Sequence, residues 1–260
     1  MITGIIHKGS GLGDQLFSYI ATRVRAADLG VDFGFIGKEF FKGKDFLDLD
    51  WGKEPEGKEY LGYHIEQPSG ALVFDDPMVA KHAIFKVDKP YFDPEFDFIE
   101  DGTVIDGYGA QDLRYFQHNL YGIKQWTKTE PLEVDNDTCI INFRGGEFAA
   151  IPELFLPQEY WETARALMHG KIPGVHTDDP DLAVNFFPDC VITKDISANW
   201  RSLRNARHAV ISNSAFAIIP RLLKHFEDPK AVTIAPRYWA RRNEGYWHNT
   251  CNYYPQFTYI

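Results

Sequence analysis

Basic residues are in short supply: 27 Lys and Arg stand against 37 Asp and Glu, a formal net charge of −10. A general nucleic-acid binder needs a basic surface to displace counterions, so nucleic acid is excluded as a partner. A local basic pocket for a small phosphorylated ligand stays open. Cysteine is scarce as well. Cys139, Cys190 and Cys251 are an odd number without metal-like spacing, which argues against a disulfide scaffold and for a reducing compartment. No run approaches the ~18 apolar residues that a bilayer crossing needs, so no transmembrane segment is expected. The first eight residues are a short apolar run stopped by a basic residue and glycines, the reverse of a secretory leader. There is no internal repeat and no low-complexity tract. A cytoplasmic protein is the expectation.

What is present is an ordinary soluble composition. In 260 residues, 44% are apolar and 25% charged, enough for one large or two small domains with their own cores. Residues 2–6 read as a buried first strand. A loop with Gly9, Gly11 and Gly13 follows, then a helix over 14–24 with Leu16, Tyr19, Ile20 and Val24 on one stripe, Asp14 as its cap and Gly30 as its end. A short strand is expected near 31–36. Residues 37–66 read as an irregular charged surface region with aromatics tucked in, or as an acceptor-recognition surface. A turn at Asp101-Gly102 leads to a strand at 104–105.

A second unit begins near 130, so the expected domains are 1–130 and 131–260. Residues 138–143 form a buried strand. A helix spans 157–168, with Tyr160, Ala164 and Leu167 on one face. Strands are expected at 174–177, 189–192, 209–211 and 231–234, and helices at 200–207 and 215–226. This alternation predicts an α/β fold with mostly parallel sheets, and two such units imply a cleft where ligands bind.

Four segments could carry chemistry. The 9–13 loop lies between a strand and a helix, where glycines let backbone approach a ligand and helix N–H groups face anions. It lacks the dinucleotide fingerprint and the Lys-Ser/Thr of a phosphate-binding loop, and a plain tight turn is an equal reading. In Asn142-Phe143-Arg144-Gly145-Gly146-Glu147-Phe148 a strand runs into an arginine and two glycines. Arginine there can fork onto a diphosphate, or form a surface salt bridge. Val175-His176-Thr177-Asp178-Asp179-Pro180 reads as a helix cap before a proline, or as a carboxylate that organises a nucleotide pocket. Two adjacent aspartates without a third partner are poor evidence for a metal. Ile211-Ser212-Asn213-Ser214-Ala215 reads as a phosphate cradle or a simple cap.

Taken in order, these segments resemble one family, the bacterial α-1,2-fucosyltransferases, and more distantly the α-1,6- and protein O-fucosyltransferases. Gly11-Leu12-Gly13-Asp14-Gln15-Leu16-Phe17-Ser18-Tyr19 resembles the opening G-L-G-N-Q-L-F-Q-Y. Phe92-Asp93-Pro94-Glu95, then Gly107-Tyr108 and the run from Gln111 to Phe116, resemble F-D-P-E and G-Y-F-Q-S-E-K-Y-F. The 142–148 segment matches the place of H-V-R-R-G-D-Y, and Thr177-Asp178-Asp179 that of S-D-D. Residues 207–216 are similar to K-H-N-I-I-A-N-S-S-F, and 234–239 to I-A-P-K-R-W. The chain departs at several points. Asn142 stands for the motif histidine, Gly145 for the second arginine, Glu147 for aspartate, Phe148 for tyrosine and Asp14 for asparagine.

The resemblance implies two Rossmann-like domains facing a cleft, the GT-B arrangement. It implies GDP-fucose as donor, a hydroxyl of a glycan or glycolipid as acceptor, inversion at the anomeric carbon, and neither cofactor nor metal. On it, Gly11, Gly13, Arg144, Asp179, Asn199, Ser212, Asn213 and Ser214 bind the donor, with Arg144 on the diphosphate. Asn199 takes the place of an aspartate that some relatives use on guanine. The catalytic set is Arg144, Glu147 and Asp14; Glu147, Asp14 and Glu153 are candidates for the base. Arg144 and the 212–214 turn are expected to share one crevice. The altered motif leaves two alternatives, a non-catalytic nucleotide- or glycan-binding relative and an enzyme with another nucleotide sugar.

Overall fold

The computed structural model describes residues 1–55, 63–65, 72–74, 84–87, 91–107, 109–242, 245–247 and 253–260. The chain divides into two compact units. The first holds Met1–Lys44 and Asp48–Trp126; the second holds Asp45–Leu47 and Thr127–Ile260.

In the first unit, strand β1 (Ile2–Ile5) leads to helix α1 (Leu12–Leu29) and strand β2 (Phe33–Ile36). Strands β3 (Tyr63–Ile65) and β4 (Leu72–Phe74) pair antiparallel. Strands β5 (Ile84–Lys86) and β6 (Val104–Asp106) and helix α2 (Leu120–Trp126) follow. The sheet runs β2-β1-β6-β5, with every neighbouring pair parallel. Helix α1 lies directly on β1: a Cβ on Gly4 would come within 2.4 Å of Thr22 Oγ1, so only glycine permits this approach. Burial of Leu16, Phe17, Ile20 and Val24 holds it there. Each such side chain contributes roughly 1.5–3 kcal/mol. The helix stops at Gly30, which adopts φ 64° and donates its N–H to Ala26 and Ala27. Asp14 does not cap α1. The helix starts two residues before it, with Gly11 at the N-cap, because the glycine-rich segment continues straight into the first turn. Asp14 is instead a first-turn acid, favourably placed against the helix dipole.

The second unit contains strand β7 (Thr138–Phe143), the short helix α3 (Gly146–Ala149), helix α4 (Gln158–Leu167), strand β8 (Ile172–Thr177), helix α5 (Pro180–Phe186) and strand β9 (Val191–Thr193). It continues with helix α6 (Ile196–Asn205), strand β10 (His208–Ile211), helix α7 (Ala215–Glu227) and strand β11 (Val232–Ala235). An antiparallel pair, β12 (Ala240–Arg242) and β13 (Gly245–Trp247), precedes the last strand, β14 (Thr258–Tyr259). The six-stranded sheet is ordered β14-β11-β10-β7-β8-β9, with every neighbouring pair parallel.

One face of this sheet, with Cys139, Ile141, Phe143, Val175 and Val210, packs against Tyr160, Trp161 and Ala164 of α4. Phe143 is the hub: its ring lies 5.1–6.1 Å from those of Phe155, Trp161, Phe186 and Phe187. Leu167 was expected on the buried face of α4 but is 58% exposed. Helical geometry ends there, and Met168, at the C-cap, takes the core position. Helix α6 begins four residues earlier than the sequence pattern implies, because the Asp195 side chain accepts the Ala198 N–H and starts it at Ile196. In the tail, Tyr254 is fully buried and Tyr253 stacks on Tyr259 at 4.6 Å. Tyr108 and the side chains of Tyr246 and Trp247 lie outside the described residues.

Candidate functional site

A parallel sheet delivers the C-terminal ends of its strands to one rim. On the rim of the second unit, β7 ends in Arg144-Gly145-Gly146 and β8 in Asp178-Asp179. Next to β7 on its other side, β10 ends in Ser212-Asn213-Ser214, and β11 then ends in Pro236-Arg237. Arg144 and the 212–214 turn thus leave neighbouring strands at the same rim. The turn is clipped to β7 twice: Ser212 N–H donates to the Asn142 carbonyl at 3.1 Å, and Ser212 Oγ donates to Asn142 Oδ1 at 3.2 Å. An acceptor at position 142 is therefore part of how the turn is held. Tyr160, a buried core residue, donates its hydroxyl to the Ile211 carbonyl at 2.6 Å and pins the end of β10. Burial pushes that phenol well above its ordinary range, so it stays a donor.

Arg144 is one-third exposed and already paired. Nη1 meets Asp178 Oδ2 at 2.5 Å, and Nη2 donates to Glu147 Oε1 at 2.8 Å. Its guanidinium stands 5.3 Å from the Phe148 ring centre. The other Asp178 oxygen accepts the Gly145 N–H at 2.9 Å, so one carboxylate fixes both the arginine and the turn behind it. The glycines are sterically required. Gly146 has φ +34°, and a Cβ on it would fall 2.4 Å from Asp178 Oδ2. A Cβ on Gly145 would fall 2.8 Å from that of Asp179, so a larger residue fits here only if the start of helix α5 shifts. Glu147 is 71% exposed.

Asp179 caps helix α5: its Oδ1 accepts the Leu182 N–H at 3.1 Å ahead of Pro180. Asp178, rather than Asp179, is the carboxylate that reaches Arg144. The signal was available, since the residue before a helix-starting proline is the natural N-cap and leaves its predecessor for other work. Asn213 donates to the Leu154 carbonyl at 2.9 Å and the Trp239 carbonyl at 2.6 Å, so neither amide N–H is left for a phosphate. Ser214 is the N-cap of α7 and makes no side-chain cap bond. Asn199 lies in the second turn of α6, nine-tenths buried, its Oδ1 without a partner. His176 Nδ1 on β8 is also buried without one, and burial pulls that imidazole down to about 4.

Asp14, Gly11 and Gly13 belong to the first unit, whereas Arg144, Glu147 and the donor-side residues belong to the second. Gln111 Nε2 donates to Asp14 Oδ1 at 3.2 Å. Gln15, buried in α1, donates to the His7 and Phe40 carbonyls and accepts the Lys42 N–H, so it ties the chain after β1 and the 40–42 segment to the helix. At the C-terminal ends of β1 and β6 the structure adds a pair that the sequence did not single out: buried His7 and Asp106, Nε2 to Oδ1 at 2.7 Å. Ninety-nine positions apart, they carry no local pattern to read. Among the described residues, no three His, Cys, Asp or Glu side chains are grouped to hold a metal. Among the same residues, no helix is long and apolar enough to cross a membrane.

No family model matches this chain. No curated protein matches it either. Among solved structures it is similar to the E. coli heptosyltransferase WaaC with ADP, at TM-score 0.50 and 11% identity, covering 100% of this chain and 92% of that one. It is also matched to NodZ α-1,6-fucosyltransferase soaked with GDP-fucose, at TM-score 0.39 and 15% identity over 85% and 91% of the two chains. Fucosyltransferase NodZ from Bradyrhizobium gives TM-score 0.38 and 16% identity over 85% and 92%. With two parallel-sheet units and the heptosyltransferase likeness over its whole length, the chain has the α/β fold of two Rossmann-like domains found in GT-B glycosyltransferases.

Proposed function

We propose that this protein is a glycosyltransferase that moves a sugar from a nucleoside diphosphate to a hydroxyl of a glycan or glycolipid. The fold shared with a heptosyltransferase supports the reaction class. The ordered motifs, and they alone, support GDP-fucose as donor, an α-1,2 linkage and a metal-free, inverting reaction. The observation that carries the reading is the shared rim: an arginine and a turn of small polar residues at the N-terminus of α7, on adjacent parallel strands. In transfer, the acceptor oxygen bonds to the anomeric carbon while the bond from that carbon to the phosphate oxygen breaks. Negative charge grows on the departing diphosphate. Arg144, Ser214 and the α7 N–H groups are the groups that would meet it. The acceptor proton goes to a carboxylate, Glu147 or Asp14. Asn199 would face the base, Gly11 and Gly13 would leave backbone open to the donor, and Asp179 would shape the pocket through its cap. The cytoplasm is the compartment we assign, from the cysteine usage.

The test is a thermal-shift comparison of GDP, UDP and ADP, followed by GDP release from GDP-fucose with lactose-type acceptors. A preferred nucleotide raises the melting temperature by mass action. Arg144→Ala should lower turnover by about 10²-fold or more and leave the fold intact; unchanged turnover rejects the assignment. The two carboxylates on Arg144 favour one rival, a relative that binds nucleotide without transferring sugar. Nucleotide binding without release under any acceptor would establish that rival.

A further inference from the structure

The opposite rim of the second unit's sheet, where its strands begin, holds a cavity that the proposed reaction does not use. Helix α4 stops at Leu167, and Gly170, at φ 81°, turns the chain back towards β8. The gap left between the end of α4 and the sheet has a volume of about 180 Å³ and opens to solvent on one side. Its walls are largely apolar: Cys139 and Ile141 on β7, Pro173 on β8, Val210 on β10, and Met168. Burial pushes the Cys139 thiol up to about 12, so it stays a neutral wall group. An apolar cavity of about 150 Å³ takes a benzene ring, so this one takes an apolar group of that size or slightly larger. Cys139 precedes Arg144 by most of strand β7, roughly 17 Å at about 3.3 Å per residue, so the cavity is distinct from the candidate site.

The basic side chains that complete the lining, Arg165, His169 and Lys171, narrow the occupant. Lys171 Nζ is already engaged, with Asp137 Oδ1 at 2.9 Å and the Asn136 carbonyl at 3.2 Å. Arg165 and His169 are exposed and form no ion pair or side-chain hydrogen bond with any described residue. In a chain with an excess of acids, Arg165 is thus left without one in ion-pair range, at the edge of an apolar cavity. The planar fork of a guanidinium matches a carboxylate, and a single uncommitted arginine suits a monoanion better than a phosphate dianion. We infer that this cavity binds a small amphipathic carboxylate. Its apolar group lies against Ile141, Met168 and Val210, and its head pairs with Arg165. The inference does not depend on the proposed reaction.

Calorimetric titration of phenylpropionate into the full chain tests this, with phenylpropanol as the neutral isostere and acetate as the head alone. Phenylpropionate should saturate the protein with a Kd on the order of 0.1–1 mM, the affinity open to so small a ligand. Phenylpropanol should bind about tenfold more weakly, and Arg165→Ala should weaken phenylpropionate by about as much, the size of one charge-assisted hydrogen bond. Acetate should not saturate. Cys139→Leu extends a wall side chain into the space and should abolish binding, with melting temperatures verifying the fold of both variants. If that variant does not fold, the isostere and Arg165→Ala decide. No saturation by phenylpropionate overturns the inference, as does equal affinity for the alcohol or for acetate, or unchanged binding in Arg165→Ala. Full binding by a folded Cys139→Leu would place the ligand elsewhere and overturn it too.

Discussion

Arg144 and Asp178 meet at 2.5 Å, Nη1 to Oδ2, from the ends of neighbouring strands β7 and β8. Asp178 also receives the Gly145 N–H, so an anion seat made of one guanidinium and one backbone donor is filled by the protein's own carboxylate. A diphosphate that engages Arg144 has to compete with Asp178 and Glu147.

Glu147 is the weaker competitor, because its pair is solvent-exposed and such pairs contribute about 0–1 kcal/mol. Glu147→Gln should therefore tighten binding of the preferred nucleoside diphosphate by about two- to fivefold. Titration calorimetry at low salt reads this directly, and added salt should erase most of the difference. Weaker binding in the variant would mean that Glu147 holds Arg144 in its binding pose.

Arg221 is fully buried, with no carboxylate among the described residues bonded to it. Its guanidinium donates to Thr233 Oγ1 and to the carbonyls of Leu203, Ala206, Arg207 and Val232, and burial pulls it down to about 9. These bonds tie the end of α6 to strands β10 and β11. Arg221→Met should cost about 3–5 kcal/mol, since it strands several buried acceptors. Lysine should not rescue it, having no planar fork to reach them together. Urea denaturation measures both variants.

Burial depresses His176 from 6.5 to about 4, against a smaller opposing pull from Asp195. The unfolded chain therefore takes up a proton between about pH 6.5 and 4 that the folded chain refuses. Stability on this account is fully present above 6.5, falls as the pH drops through that window, and levels off below 4. The loss is on the order of 3 kcal/mol. His225 is depressed to about 4 as well and acts with the same sign. His176→Asn should flatten the dependence of the urea midpoint between pH 7 and 4.5; an unchanged slope would assign it elsewhere.

Much of the fold was legible because parallel strands buried on both faces read as short apolar runs: β7 is found at the residues the pattern gives. Elements set by a single cap were less legible, as at α6, where Asp195 opens a first turn that carries little apolar signal. Asp178 and Asp179 show the same limit within the site. The pair is visible in sequence, but which carboxylate caps and which reaches Arg144 depends on where β8 ends. The bonds that take up the Asn213 amide come from Leu154 and Trp239, fifty-nine and twenty-six positions away, where no local spacing could announce them.

The tight fit of Gly145 against Asp179 also constrains how this sequence can change. A larger residue at position 145 would press its Cβ into the start of helix α5. It is accommodated only if the helix start gives way, so the strand end at Arg144 and the cap of α5 are coupled through this one contact.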